Sequence, residues 1–185
     1  MTLLIAGVTL WWAAHLLKRL APGVRAALGS AGYPAMAGAI IVSVVLMVLG
    51  YRSAVVDTIY WGRAPMMVGI NNILMLLAFY CYASSAAKGA KIWLGTKLRH
   101  PQLTGFSIWA VAHLIVNGDT PSFVLFGGLL IWAVVEMFVI NMQDGPWERP
   151  ARAAPKKEIV ALVITAVVVF VVMGTHFALG VQPWG

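Results

Sequence analysis

The chain reads as an all-α integral membrane bundle of about six transmembrane helices, with both termini on the outer, periplasmic side. Three observations predict this. Hydrophobic residues make up 61% of its 185 residues and charged residues only 10%. Several apolar runs approach the ~20 residues needed to cross a bilayer. The basic residues gather in alternate loops, the pattern that orients membrane proteins.

In chain order the expected spans cover 2–17, 34–50, 65–87, 101–117, 122–143 and 159–180, all within a single domain. The first carries its charges after the apolar run and lacks the basic start of a secretory signal. It reads as a retained span whose N-terminus has crossed the membrane. The first and fourth are short, so they are expected against protein or in a thinned bilayer. The third contains Cys81 between Tyr80 and Tyr82, the only cysteine of the chain. A lone cysteine excludes an intramolecular disulfide and a Cys-based zinc site, and it reads as a small buried apolar residue. The absence of C-x-x-C-H excludes covalently attached haem. Pro101 opens the fourth span, where its missing N–H costs nothing. In the fifth, Gly127 and Gly128 allow close approach of either a helix or a flat ligand. Segment 144–157 is Pro-rich and charged, hence a solvated loop. No internal repeat is evident, which gives an inverted-repeat transporter little support.

The loops after the first, third and fifth spans hold eleven basic residues, against two (Arg52 and Arg63) on the other side. The basic loops are therefore expected to be cytoplasmic. Tyr60, Trp61 and Trp184 fit interfacial anchors on the outer side. The formal charge of +7 lies beside the spans, where it sets topology and meets anionic lipid; nucleic acid is not an expected partner.

Ionisable groups at membrane depth are costly and are read as functional by default. They sort into two layers. The outer layer holds Asn71, Asn72, His113, Asn117, Asp119 and His176. His113 lies four residues before Asn117 and His176 four before Gly180, so each is roughly 6 Å inside the outer end of its span. Trp109, His113 and Asn117 recur at intervals of four and share a helix face. Against a functional role, Asn71 and Asn72 also suit interhelical hydrogen bonding, and Asn117–Asp119 suits a helix stop and turn. The inner layer holds His15, Arg99, His100 and Glu136. Arg99, His100 and Glu136 are the candidates for catalysis. A carboxylate at the depth of Glu136 calls for a partner, with Arg99, His15 or a snorkelling Lys as candidates.

Neutral imidazoles are the commonest metal ligands, and haem b held by two histidines suits an apolar bundle. By depth, His113 matches His176; His15 does not match His113 unless the first helix sits high or the cofactor lies obliquely. Arg99 and His100 could hold propionates or a substrate anion by charge-assisted bonds.

Three blocks carry a resemblance: L-R-H-P-Q-L-T-G at 98–105, W-A-V-A-H-L-I-V-N-G-D at 109–119 and L-F-G-G-L-L-I-W-A at 125–133. With weaker echoes at H-L-L (15–17) and H-F-A-L-G-V near the end, they make nearly the whole chain resemble the NnrU family of bacterial membrane proteins. The resemblance implies a multi-pass protein of the bacterial inner membrane associated with nitrite and nitric oxide metabolism in denitrification. It also implies other membrane proteins of nitrogen-oxide respiration as partners. The plant 15-cis-zeta-carotene isomerase resembles the same family and is regarded as a haem b enzyme. Its histidine positions match His15 and His113, whereas depth pairs His113 with His176. H-P-x-x-x-G-x-x-x-W at 100–109 also looks like the isoprenylcysteine carboxyl methyltransferase pattern, which binds S-adenosylmethionine. Leu103 stands where that family has Tyr, and no Glu pair follows Glu136. Three functions therefore compete: a haem-carrying protein of nitrogen-oxide metabolism, a membrane methyltransferase, and a non-enzymatic assembly or accessory subunit.

Overall fold

Six apolar helices form the body of the protein, which a computed structural model describes over residues 1–86 and 89–183. Helix α1 is Thr2–Leu20, followed by the short α2, Pro22–Ala27, and by α3, Gly32–Arg52. A strand β1, Ile59–Trp61, precedes α4, Pro65–Ser85. Helix α5 is Pro101–Val116, and strand β2 is Gly118–Asp119. Then come α6, Thr120–Asp144, and α7, Pro155–Ala178.

Helices stand where the spans were expected, with two corrections to their bounds. The first is not short: α1 runs 19 residues, because Lys18 and Arg19 close its last turn, where cations suit the helix dipole. The last starts earlier than expected, since Pro155 stands at the first helical position and Glu158 in the first turn. Five helices are long and apolar enough to cross a membrane; α5, with 16 residues, is the shorter sixth. Lys88 and Trp184, counted above as a cytoplasmic charge and an interfacial anchor, lie outside the described residues, as does Ala87, the expected end of the third span.

Side-chain size decides how closely the helices pack. Helix α1 crosses α3 at Gly7, where an added methyl would lie 2.7 Å from the backbone nitrogen of Met47. Helix α5 meets α4 at Gly105, where a methyl would lie 2.6 Å from the carbonyl oxygen of Ala78 and 2.9 Å from Cys81. Small residues are what bring apolar helices into contact where lipid supplies no hydrophobic drive. Gly128 serves the same purpose: it faces Val8 of α1, and its carbonyl accepts the Trp12 indole N–H at 3.1 Å. Helix packing, not a flat ligand, accounts for it. Leu4, Val8, Met47 and Leu129 form one buried cluster, and Leu16, Trp132 and Ala133 another. Outward faces stay apolar: Ile41 is 65% exposed and Phe170 78%. Such faces are stable against hydrocarbon and not against water.

Contacts between loops sort the ends of the helices into two sets. At one end Arg19 grips Asp144 with two hydrogen bonds, at 2.6 and 3.2 Å. At the same end Lys91 exchanges backbone hydrogen bonds with Ala151 and Ala153. Glu158 there accepts from the Tyr80 hydroxyl and from the Trp93 N–H. At the other end β1 pairs antiparallel with β2, Ile59 opposite Asp119 and Trp61 opposite Gly118. The Tyr51 hydroxyl bonds Ser122 there at 2.9 Å. The six helices thus alternate in direction, and the basic loops share one end.

Candidate functional site

Helices α3, α4, α5, α6 and α7 and the chain after α7 enclose a cavity of about 430 Å³ near the β1–β2 end. Its polar lining includes Asn71, Asn72, His113, Asn117 and His176, five of the six outer-layer residues singled out from the sequence. The rest is mostly apolar, with Met75 and Phe79 from α4, Phe126 from α6 and Val169 and Met173 from α7. The volume lies within the range of about 300–1,000 Å³ common for small-molecule sites.

Each polar side chain is held by local structure. Asn117 caps the end of α5: its Nδ2 donates to the His113 carbonyl at 2.8 Å. Trp109 touches the His113 ring edge-on at 5.1 Å, as the interval of four requires. On the other side Phe126 lies flat on the same imidazole, 4.4 Å away at 10°. A π-helical stretch, Phe123–Gly127, sets where Phe126 falls on α6. Such wide turns are frequent at functional sites. Among the described residues the His113 ring makes no hydrogen bond, so stacking alone fixes its plane.

His176 is held differently. Its Nδ1 donates to the Val172 carbonyl at 2.8 Å, which leaves the lone pair on Nε2. Asn71 is 9% exposed; its Nδ2 donates to Asn72 Oδ1 at 3.1 Å, while its own Oδ1 is buried with no partner. A buried acceptor without a donor is costly unless something in the cavity supplies one. Asp119 takes no part: its Oδ1 accepts the Ser122 N–H at 2.8 Å and caps α6.

The inner-layer residues do not join this site. His15 packs against Trp11 and Trp132, with ring centres 4.1 and 4.7 Å away, and its Nδ1 bonds the Trp11 carbonyl. It is linked to His113 only through a run of rings. Trp11 meets Phe106 at 6.0 Å, Phe106 meets Trp109 at 5.1 Å, and Trp109 meets His113. Arg99 and His100 line a different cavity at the basic end, so they are not placed to hold propionates of a group bound at His113. Among the described residues Glu136 has no salt bridge to the partners expected for it. Its Oε2 is buried and unbonded, Arg99 donates to the Gly145 carbonyl, and Arg19, the cation facing Glu136, is bound to Asp144. The expected partners bond elsewhere, His15 to the Trp11 carbonyl and Arg99 to the Gly145 carbonyl.

Two lining residues escaped sequence reasoning. Tyr51 looks like an ordinary helix end. Arg63 was counted only as a loop charge, although an arginine on the side with few cations runs against the topological bias and is a signal in itself. Trp61 is more than an anchor, since its indole N–H donates to the Leu114 carbonyl at 2.9 Å and its ring covers Gly118. Among the described residues no three His, Cys, Asp or Glu side chains gather as a metal cluster. The ligand set on offer is the pair of imidazoles, on helices far apart in sequence, lining an apolar chamber.

No curated protein and no solved structure matches the chain. A family model does, the one described as NnrU protein, over residues 3–183. That match spans the cavity and nearly everything that builds it, so the chain belongs to the NnrU protein family.

Proposed function

We propose that this protein serves nitrite and nitric oxide metabolism in the bacterial inner membrane, with haem b held in the outer cavity by His113 and His176. One observation carries the reading: two imidazoles from α5 and α7 line the same mostly apolar cavity. The donor chemistry fits the group. Two neutral imidazoles are a ligand set for haem iron, and a backbone bond at one ring nitrogen orients the other toward a metal. His176 has that arrangement. The apolar walls suit a porphyrin face, and Arg63 supplies a cation for carboxylates at its edge.

When bound, haem supplies one-electron redox chemistry at iron. The chain's own part is positional. Phe126 and Trp109 fix the plane of His113, and Val172 fixes the proton on Nδ1 of His176. Phe79, Met75 and Met173 exclude water. The buried Oδ1 of Asn71 offers an acceptor to a donor-bearing ligand.

An absorption spectrum of detergent-purified protein, expressed with ample haem, tests the proposal. A Soret band is expected that is lost or strongly shifted in His113→Ala and in His176→Ala but kept in His15→Ala. Loss in His15→Ala with retention in His176→Ala would assign the pair implied by the carotene isomerase. A colourless protein would sink the haem reading and favour the accessory role.

A further inference from the structure

The second cavity, about 320 Å³, lies at the basic end and is separate from the first. Lys91, Arg99 and His100 line it together with Trp147, and among the described residues no Asp or Glu does. Its position follows from the chain. Arg99 and His100 stand at the start of α5, Ile140 near the end of α6, and Trp147 in the loop beyond. The backbone bridge between Lys91 and the 151–153 segment fastens the two basic loops to each other.

The cations here differ from the topological ones. Lys18, Lys97, Lys156 and Lys157 are exposed, where water satisfies them. Lys91, Arg99 and His100 are half-buried. Arg99 Nη1 donates to the Gly145 carbonyl at 2.7 Å and His100 Nε2 to Asn141 Oδ1 at 2.8 Å, both neutral acceptors, and one of the bonds of Lys91 Nζ goes to the Ser85 carbonyl at 3.0 Å. Of the carboxylates at this end, Asp144 is bound to Arg19 and Glu158 to Tyr80 and Trp93, while Glu148, next to Trp147, is exposed and does not line the cavity. Positive groups partly withdrawn from water around a chamber whose lining holds no carboxylate stabilise an anion placed there. Pro101, Gln102 and Leu103 line the same space, and no side chain caps this helix end, so the α5 dipole adds to the field.

We propose that this cavity binds a phosphate-type oxyanion, delivered as the headgroup of an anionic phospholipid or as a soluble phosphate. Arg99 supplies the planar fork that such oxygens accept, and His100 and Lys91 supply flanking donors. Trp147 gives the ligand an apolar wall. The site is independent of the histidine cavity, and its test does not depend on haem.

Purified full-length protein is titrated calorimetrically with inorganic phosphate. In parallel it is reconstituted with phosphatidylglycerol or phosphatidylcholine, and retained lipid is counted by native mass spectrometry. Saturable binding is expected in at least one arm. Saturation by phosphate identifies a soluble source, and selective retention of phosphatidylglycerol alone identifies the lipid. Arg99→Gln should weaken binding at least about tenfold, His100→Gln should weaken it too, and Lys97→Gln should leave it within about twofold. If Arg99→Gln does not elute as a single species, His100→Gln against Lys97→Gln decides. Absence of saturable binding in both arms, or an equal effect of Lys97→Gln, overturns the proposal.

Discussion

Gly7 shows how much a single position carries where two helices touch. Its missing side chain lets the α3 backbone pass close to α1, and two of the three nearest atoms, Met47 N and Ser43 O, are backbone atoms that no side-chain rotation can move aside. Gly7→Val is therefore expected to destabilise the protein by about 1–3 kcal/mol, the usual cost of overpacking. Thermal unfolding in detergent would measure it, with exposed Gly38→Val as the control, since nothing lies within 4 Å of a methyl there. His113 and Asn71 are the opposite kind of residue, held in place with polar atoms left over. Asn71 is the clearer case, because its buried Oδ1 is a cost that packing does not repay.

Among the elements, α6 is the one whose two ends do different work. Asp119 caps its start, the π-helical stretch follows at once, and Asp144 closes the far end on Arg19. Asp119→Ala should cost about 1 kcal/mol, typical of a lost cap. It should also loosen the β1–β2 ladder, visible as faster amide exchange at Ile59–Trp61 with little change in the basic loops. Apolar runs and their Pro and Gly boundaries made the helices legible in the sequence, because periodicity and breakers act locally. Depth counting brought His113 and His176 to one level, and the interval of four placed Trp109 and Asn117 beside His113. The π-helical stretch was not legible, since F-V-L-F-G-G contains nothing that a regular helix would refuse. Nor was the separation of Arg99 from Glu136, which depends on how far α6 extends past the carboxylate and on Asp144 meeting Arg19.

For the whole molecule, the charge pattern and the contacts between loops agree on which ends belong together. The eleven-to-two bias in basic residues predicts that the basic end faces the cytoplasm. A phosphatase reporter fused after Gly185 should be active, and a fluorescent reporter that matures only in the cytoplasm should stay dark. The reverse result would invert the bundle and move the oxyanion cavity to the outer face. The run of rings from His15 through Trp11, Phe106 and Trp109 to His113 crosses between the two layers without a gap of aliphatic side chains. Flat, stiff groups in mutual contact do not relax one at a time, so energies along such a column cease to be additive. A truncation at Phe106 would then register at both imidazoles, making the midpoint of the bundle, remote from either chamber, a place where the two halves of the protein are mechanically one.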